Sequence, residues 1–247
     1  MTKLTSYILL ILILLLTTAC SNTAGNQLPT NVSEQPTDST RQFYALACDG
    51  CNDTVVVVLR LPYEDSDPDT ISVLEASRNR QVFGELRIGD LLVIVSNENN
   101  PKVADMVIDT ENLHGQWCYQ VLPTLRERPG DSLRHVLTDS VKRQLLVARE
   151  YGFVIKPDSA IMSLGFGNMP RTSDEESDIV YPTPRRYRQW YINEGRLLLT
   201  EAVLDSLGQL SKVVTDTARF VELTADTLVL QFEDSLQGYY RKSLENE

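Results

Sequence analysis

The sequence is poor in the residues and motifs from which enzymes build active sites. Only two histidines, His114 and His135, occur among 247 residues. The G-x-S-x-G elbow of serine hydrolases, the P-loop of nucleotide-binding enzymes and the H-E-x-x-H pair of zinc peptidases are all missing. We therefore expect a protein that is not an enzyme and that needs no cofactor. A hydrolase with an unrecognised site is the alternative with the least support.

Positive charge is also scarce, and this excludes a class of partner. Lysine and arginine number 23 against 34 acidic residues, which gives a formal net charge of −11 at pH 7. Proteins that bind nucleic acids place clustered lysine and arginine side chains against the phosphate backbone. The chain has no such cluster, so we expect no nucleic-acid partner.

Long apolar runs are confined to the N-terminus. Residues 7–16, "YILLILILLL", form a ten-residue apolar segment that follows Lys3. This length is typical of a signal peptide, whereas a membrane-spanning helix needs about 20 residues. No later run approaches that length, so we expect a mature protein that does not cross the membrane with a helix.

The apolar segment ends in "LTTAC", at Cys20. Small residues before a cysteine resemble the lipobox of bacterial lipoproteins, although Thr17 stands where that family usually has leucine. The resemblance implies a signal peptide over residues 1–19 and a lipid anchor on Cys20, with a diacylglycerol and fatty acyl chains such as palmitate. An ordinary cleaved signal, which would leave Cys20 as a free thiol, is the alternative. Ser21, with no aspartate beside it, favours the outer membrane by the sorting rules of Gram-negative lipoproteins. We expect the periplasmic face, with the cell surface as the alternative.

Residues 20–41 are predicted to form a lipid-anchored, disordered tether. They include no aromatic residue and are too polar to build a core. Asp-Ser/Thr-aliphatic tripeptides recur along the chain and resemble the O-glycosylation motifs of some anaerobic Gram-negative bacteria. The related "DST" at residues 38–40 makes Thr40 the accessible candidate for glycosylation.

The remaining sequence predicts a mainly β protein, beginning with a small domain at residues 42–112. Short β-branched or alternating stretches separated by turn residues indicate five or six strands and no helix of useful length. Gly89-Asp90 has the composition of a hairpin turn between two of them. A small OB-like β-barrel would hide the strand edges. The stretches are "TVVVVLRL" (54–61), "TISVLEA" (70–76), "QVFGELRI" (81–88), "LLVIVSN" (91–97) and "PKVADMVID" (101–109).

Residues 113–247 are predicted to form a second β-barrel of eight or nine strands with one inserted helix. The helix is expected at residues 129–150, where apolar residues recur at helical spacing. Four phrases resemble, in the same order, the lipocalin-like domains of small bacterial lipoproteins. The resemblance implies a lipocalin-like barrel in which Trp117 plugs one end. The phrases are "LHGQW" (113–117), "YGFVIKPDSAIMS" (151–163), "WYINEGRLLLT" (190–200) and "FVELTADTLVLQF" (220–232) followed by "GYYRK" (238–242).

Three cysteines of the folded region raise a question of redox or metal chemistry. Cys48 and Cys51 form a C-x-x-C pair directly before a valine-rich strand, and a disulfide between them is the favoured interpretation in an exported protein. Together with His114 and Cys118 they also supply the ligand types of a zinc site, or of copper without the histidine. The pair further resembles that of the NlpE family of envelope-stress lipoproteins. That resemblance implies stress or metal sensing, but the family's second cysteine pair is absent here.

Aromatic residues supply the candidate ligand site. Trp117, Tyr187, Trp190 and Tyr191 lie on predicted strands of the second barrel, where alternate side chains face the interior. Such side chains either pack the core or wall a cavity for a small apolar ligand. "PRRYR" (184–188) either forms a solvated, charge-balancing patch or rings the barrel mouth and attracts an anionic ligand. The sequence therefore predicts a lipid-anchored envelope protein that binds a small apolar ligand or an envelope partner, whose identity it does not give.

Overall fold

The computed structural model describes residues 41–63, 67–125, 146–165, 179–204 and 210–243. Strands dominate these ranges, so the prediction of a mainly β protein is confirmed. None of the described helices is long and apolar enough to cross a membrane.

Three predicted features of the N-terminus lie outside the described residues. These are the signal peptide, the anchor residue Cys20 and the glycosylation candidate Thr40. They stay predictions. The described residues all belong to one compact unit.

The first sheet contains six strands, and the valine-rich segment predicted from the sequence is the second of them along the chain. Two short helices accompany it, α1 (Leu74–Arg78) after the third strand and α2 (Thr110–Leu113) after the sixth. The strands are β1 (Gln42–Ala47), β2 (Val55–Arg60), β3 (Asp69–Ser72), β4 (Val82–Phe83), β5 (Leu91–Ser96) and β6 (Ala104–Asp109).

The order of these strands is that of an OB-like barrel. The sheet runs β3-β2-β1-β5-β6-β4. Ser72 at the end of β3 forms a parallel bridge with Val103, and its N–H donates to the carbonyl of Lys102 at 2.8 Å, which joins β3 to the segment leading into β6. Apart from the two-residue β4, the circuit is β1-β2-β3-β6-β5 and back to β1. The prediction of a small OB-like barrel is confirmed.

Two local predictions in this region are wrong. The stretch 70–76 leaves the strand after Ser72 and turns into α1, and only Val82–Phe83 of the stretch 81–88 is a strand. That strand pairs in parallel with β6, so Gly89-Asp90 does not connect a hairpin. Instead the N–H of Gly89 donates to the carbonyl of Ala47 at 2.8 Å, and the turn closes onto the end of β1. The composition of a turn does not reveal which strands it joins.

Eight strands build the second barrel, and two shorter ones form a separate ladder. The ladder pairs β8 with β11, and all others belong to the barrel. The strands are β7 (Gly115–Val121), β8 (Thr124–Leu125), β9 (Arg149–Ile155), β10 (Ile161–Leu164), β11 (Ile179–Val180), β12 (Tyr187–Asn193), β13 (Arg196–Leu204), β14 (Leu210–Leu223), β15 (Thr227–Gln231) and β16 (Leu236–Lys242).

Each strand of this barrel pairs with the next one along the chain, and the last pairs with the first. The order is β10-β9-β7-β16-β15-β14-β13-β12. An Ala160–Gln189 bridge and a hydrogen bond of 2.9 Å from the N–H of Trp190 to the carbonyl of Ser159 bring β12 back to β10. This is an up-and-down barrel, as in lipocalins, and the predicted strand number is confirmed at eight.

The predicted helix at residues 129–150 needs a correction at its end. Arg149 and Glu150 belong to β9, where they pair with Val121 and Gln120 of β7. Most of the predicted helix lies outside the described residues.

Trp117 closes one end of the second barrel. Its side chain is fully buried, and its indole N–H donates to the carbonyl of Leu113 at 2.8 Å. The guanidinium of Arg241 stacks over the indole at 4.3 Å and donates to the backbone carbonyls of Asn112, His114 and Ala225. One arginine thereby connects three backbone carbonyls from different segments to the Trp117 indole.

The two barrels share a hydrophobic core. Phe83 of the first barrel contacts Phe220 of the second, with ring centroids 5.5 Å apart, and both belong to one buried cluster. Gln42 donates to the carbonyl of Ile192 at 2.9 Å and accepts the N–H of Gly195 at 3.1 Å. The β12–β13 hairpin therefore lies against the first sheet. The domain bounds 42–112 and 113–247 stay predictions.

Candidate functional site

The second barrel is hollow at the end away from Trp117. An open cavity of about 780 Å³ lies there and reaches from inward-facing rings such as Tyr239 to outer-face residues such as Arg219. Its size is within the range of small-molecule sites. β14 is much longer than β15 and begins to pair with it only at Arg219, so the first half of β14 has no partner in β15. The β15–β16 turn lies across this gap and lines the cavity together with β14.

Strand alternation explains why aromatic side chains line the cavity. Tyr119 follows Trp117 by two residues on β7, so both point into the barrel. Phe153 is directly opposite Trp117 on β9, and Tyr239 is opposite the buried Leu228. The lining includes Tyr119, Phe153, Tyr187, Asp216, Phe232 and Tyr239.

Four of these rings form a continuous aromatic wall. Tyr239 is at the centre, with its ring 5.0 Å from that of Phe153 and 5.3 Å from that of Tyr119. Phe153 also contacts Tyr187 edge to face at 6.4 Å. Neighbouring rings are tilted or perpendicular, which is the favourable arrangement for aromatic pairs. The wall presents both apolar ring surface and phenolic hydroxyls to the cavity.

Asp216 is an inward-facing carboxylate that lines the cavity. It occupies the inward phase of β14, two residues before the buried Ala218. Its Oδ2 accepts a hydrogen bond of 2.6 Å from the hydroxyl of Tyr187. Burial, and then this bond to Asp216, raise the pKa of Tyr187 well above its usual value. Tyr187 is therefore a neutral donor at physiological pH.

Arg185 lies at the mouth of the cavity and makes only long ion pairs. Its Nε lies 3.6 Å from Asp216 Oδ2, and its Nη1 lies 3.8 Å from Glu201 Oε2. Both distances are longer than a hydrogen bond, and the arginine side chain is 56% exposed. Ion pairs of this kind contribute little stability, so Arg185 is free to exchange one carboxylate for another or for a ligand.

Two further tyrosine hydroxyls have no hydrogen-bond partner within the described part of the chain. They belong to Tyr119 and Tyr239. Burial is the main reason that the pKa of each is raised, with the neighbouring Tyr151 adding to the effect at Tyr119, and Tyr119 and Asp216 adding to it at Tyr239. Both hydroxyls stay protonated at neutral pH and can donate to a bound molecule.

The rim of the cavity carries charges of both signs. Arg196 and Arg219 are directly opposite each other on β13 and β14, on the outer face of the barrel. Glu233 and Asp234 belong to the β15–β16 turn, and all four residues line the cavity. The rim is balanced, so it gives no strong preference for the charge of a ligand.

Only one of the four predicted ligand residues lines the cavity. Tyr187 does so, whereas Trp117 plugs the closed end. Trp190 is buried, with its indole N–H on the carbonyl of Lys156 at 2.9 Å, and Tyr191 takes the opposite phase of β12. The sequence could not tell these positions apart because an inward phase does not say at which height of the barrel a residue lies.

The cavity residues that were not predicted could have been identified from features of the sequence. Tyr119 shares the phase of Trp117, and Asp216 shares that of Ala218 and Phe220, so each could have been placed inside the barrel by alternation. Arg185 lies within the "PRRYR" stretch, which does border the mouth. What alternation could not supply was the length of β14 beyond β15, which creates the gap.

Cys48 and Cys51 are separate thiols in this structure. The Cys51 thiol donates to the carbonyls of Cys48 and Val57 at 3.3 and 3.4 Å, and its sulfur accepts the N–H of Val57 at 3.4 Å. The thiol thus satisfies backbone hydrogen-bonding groups in the turn between β1 and β2. The predicted disulfide is not formed here, and the oxidised state stays a prediction.

The predicted metal ligands are not brought together. Among the described residues, no three histidine, cysteine or acidic side chains are arranged to hold a metal. Cys118 is buried on β7 and accepts a hydrogen bond of 3.4 Å from Gln116, while His114 contacts Glu111 and the ring of Trp190. Cys48 and Cys51 belong to the first sheet. The structure therefore does not bring the four predicted metal ligands together. Cys48 and Cys51 lie in one environment, and His114 and Cys118 lie elsewhere.

Comparisons with known proteins add little beyond the fold. No family model and no curated protein matches the chain. Among solved structures, the crystal structure of a lipocalin-like protein from Bacteroides thetaiotaomicron VPI-5482 is similar, with 19% sequence identity over 52% of this chain and 95% of that chain and a TM-score of 0.28. A likeness this weak says nothing about function.

Proposed function

We propose that the protein is a lipid-anchored, non-enzymatic lipoprotein of the outer membrane that binds a small amphiphilic molecule in the open end of its second barrel. The observation that carries the proposal is the cavity of about 780 Å³ with an aromatic wall and a few converging polar groups. Binding sites for small molecules combine these two features, since apolar surface supplies affinity and placed polar groups fix the orientation.

The cavity refines the apolar ligand expected from the sequence. Tyr119, Phe153 and Tyr239 offer ring surface, whereas Asp216 and the tyrosine hydroxyls need polar partners. A fully apolar molecule would leave these groups without hydrogen bonds, at a cost of about 1–3 kcal/mol for each buried one. An amphiphile satisfies both parts of the lining.

The anchor and the location are supported by the N-terminal sequence. The lipobox-like "LTTAC" and the polar residues after it favour attachment at Cys20, with the folded part held away from the membrane by the tether. The periplasmic face is the proposed location, and the cell surface is the alternative. A lipid-anchored binding protein would take its ligand from the envelope rather than from the cytoplasm.

A non-enzymatic role is supported by the chemistry of the lining. Tyr187 is tied to Asp216, and the other tyrosines are neutral donors, so the described lining includes no paired nucleophile and base. Metal or redox sensing through Cys48 and Cys51 is not favoured, because His114 and Cys118 do not complete a ligand set with them.

Native mass spectrometry of the protein purified from the envelope tests the proposal. We expect a bound mass in addition to the protein and its covalent lipid. The variant Gln237→Trp places an indole in the cavity, because Gln237 lines it and is opposite the inward-facing Leu230. The bound mass should be lost in this variant. It should remain in the matched control Gln120→Trp, whose side chain is exposed on β7.

Two results would overturn the proposal. One is a wild-type protein that carries no bound molecule and takes up none from an envelope lipid extract. The other is equal occupancy in wild type and Gln237→Trp, which would place the ligand outside this cavity.

A further inference from the structure

The polar groups inside the mouth of the second barrel have a net negative charge. Two carboxylates, Asp216 and Glu201, face inward on adjacent strands, and one guanidinium, Arg185, lies between them. Arg185 is closer to solvent than either carboxylate, with its side chain 56% exposed against 19% for Glu201 and 24% for Asp216. Two charges of one sign against one of the other leave about one uncompensated negative charge at the site.

Asp216 is the carboxylate that a ligand can reach. Glu201 does not line the cavity; its Oε1 accepts the backbone N–H of Arg186 at 3.3 Å, and its Oε2 lies 3.8 Å from Arg185 Nη1. Asp216 uses only Oδ2, which accepts the Tyr187 hydroxyl. Its Oδ1 has no hydrogen-bond partner in the part of the chain that the structure describes, and Asp216 lines the cavity. A donor with positive charge would satisfy this oxygen best.

The aromatic wall beside Asp216 favours the same kind of ligand. The rings of Tyr187, Phe153, Tyr239 and Tyr119 follow one another at centroid distances of 5.0 to 6.4 Å, with neighbouring planes tilted or perpendicular. Perpendicular rings around a carboxylate form the walls of an aromatic cage, and the negative faces of such rings attract ammonium groups within about 6 Å. An anionic headgroup would meet both the ring faces and Asp216 with repulsion.

We propose that the amphiphile bound by the second barrel carries an organic cation, an amine or a quaternary ammonium group, which binds between Asp216 and the aromatic wall of Tyr187, Phe153 and Tyr239. This inference rests on the proposed function, because it names the ligand class of the same cavity. The apolar tail of the ligand contacts the rings of Tyr119 and Phe232 and leaves through the gap beside β14. Arg185 moves from Asp216 toward Glu201 when the cation binds.

Two arginines on the outer face of the barrel favour the competing ligand class, an anion. Arg196 and Arg219 are directly opposite each other, and like charges in that position repel. Neither has an ion-pair partner among the described residues, so an anion would be attracted to the outer rim. However, their side chains project from the face opposite to Asp216, and Glu233 and Asp234 in the nearby turn offset them. An anionic ligand is therefore an outcome that the experiment must distinguish.

Calorimetric titration with three octyl probes distinguishes the classes. The probes are octyltrimethylammonium, octanoate and octyl glucoside, used below their micelle concentrations on the full chain carrying Cys20→Ser, which prevents lipidation at the predicted site. We expect the cation to bind at least about tenfold more tightly than the other two. Asp216→Asn keeps an acceptor for Tyr187 and should weaken the cation at least about tenfold while leaving octyl glucoside unchanged.

The matched control is Glu222→Gln, which removes one negative charge from an exposed position of β14. It should leave the affinity for all three probes within about twofold of wild type, because exposed charges are screened by solvent. An equal loss in Glu222→Gln and Asp216→Asn would reduce the effect to net charge and overturn the inference.

The outcomes separate the inference from the proposed function. Equal binding of all three probes, or tighter binding of octanoate, overturns the cation site while the cavity remains a binding site. Absence of binding for all three overturns both. Unchanged cation affinity in Asp216→Asn also overturns the inference, and unchanged octyl glucoside binding in that variant shows that its fold is intact.

Discussion

The two barrels of this chain differ in what fills them. The buried core of the first barrel is aliphatic, with Val56, Val58, Ile71, Leu92 and Ile94 all fully buried. The second barrel is packed at the end closed by Trp117 and hollow at the other, where tyrosines, phenylalanines and Asp216 line a cavity. Small branched side chains interdigitate and fill the interior of the first barrel. The second barrel is wider, so the rings on its wall do not fill the interior and a cavity remains.

This difference is the reason that the proposed binding site lies in the second barrel rather than in the first. The first barrel does carry an external groove of about 460 Å³ beside Cys51, lined by Ser77, Arg80 and Leu86 among others. The groove lies outside its packed interior. The second barrel offers the interior itself, with converging polar groups. The first barrel is a support against which the β12–β13 hairpin packs, and the second contains the cavity of the proposed binding site.

The largest expected effect is at Gly152 on β9, where the backbone of β7 leaves no room for a side chain. A Cβ atom at Gly152 would lie 1.9 Å from the backbone oxygen of Trp117, so β7 and β9 would have to separate to accept Gly152→Ala. We expect a loss of more than about 3 kcal/mol in the free energy of unfolding, measured by denaturant titration. Gly238→Ala on β16 is the matched control, since nothing lies within 4 Å of its added Cβ. A small loss in Gly152→Ala would show that these strands are not packed as described.

Truncating a side chain should cost more unfolding free energy in the filled first barrel than beside the cavity of the second barrel. Leu92→Ala in the first barrel leaves a void among fully buried neighbours and should cost about 3 kcal/mol of unfolding free energy. Phe232→Ala removes a larger side chain, but this residue is half-buried and already borders the cavity. We expect a loss below about 1.5 kcal/mol, because little new void is created. Equal losses in the two variants would contradict the contrast between the barrels.

The closed end of the second barrel depends on one arginine. Arg241→Ala removes the stacking on Trp117 and the donors to three backbone carbonyls, and should lower the unfolding free energy by about 2 kcal/mol. Arg219→Ala, an exposed arginine of the same barrel that is opposite another arginine, is the control and should change stability by less than about 0.5 kcal/mol. Similar losses in both variants would mean that the contacts of Arg241 do not stabilise the closed end.

The junction between the barrels should make stability depend on pH. Asp109 is fully buried at the start of α2, and burial raises the pKa of its carboxyl from 3.8 to about 6. Between these values the folded state holds a proton that the unfolded state has lost, so stability falls as pH rises from about 4 to 6. We expect this part of the decline to be about 3 kcal/mol and to disappear in Asp109→Asn, which still caps the helix. Asp53→Asn, at an exposed position, should leave the pH profile unchanged.

Sequence periodicity predicted the type and number of strands in the second barrel because each strand pairs with its neighbour along the chain. It failed within the first barrel at residues 81–88, where the short β4 pairs in parallel with the later β6. Long-range pairing of this kind depends on packing that no local pattern encodes. For the site, the sequence predicted inward aromatics and found Tyr187, but placed Trp117 and Trp190 there as well. Their depth depends on the stagger of the strands, and the gap beside β14 depends on unequal strand lengths.

Chemical-shift mapping tests the central claim most directly. The full chain carrying Cys20→Ser, labelled at aromatic and methyl groups, is titrated with the octyl probe that binds most tightly. The account predicts perturbed resonances for Tyr119, Phe153, Tyr187 and Tyr239 and unchanged methyl resonances for the interior of the first barrel. Perturbations centred on the groove beside Cys51, or none at the tyrosines, would contradict it.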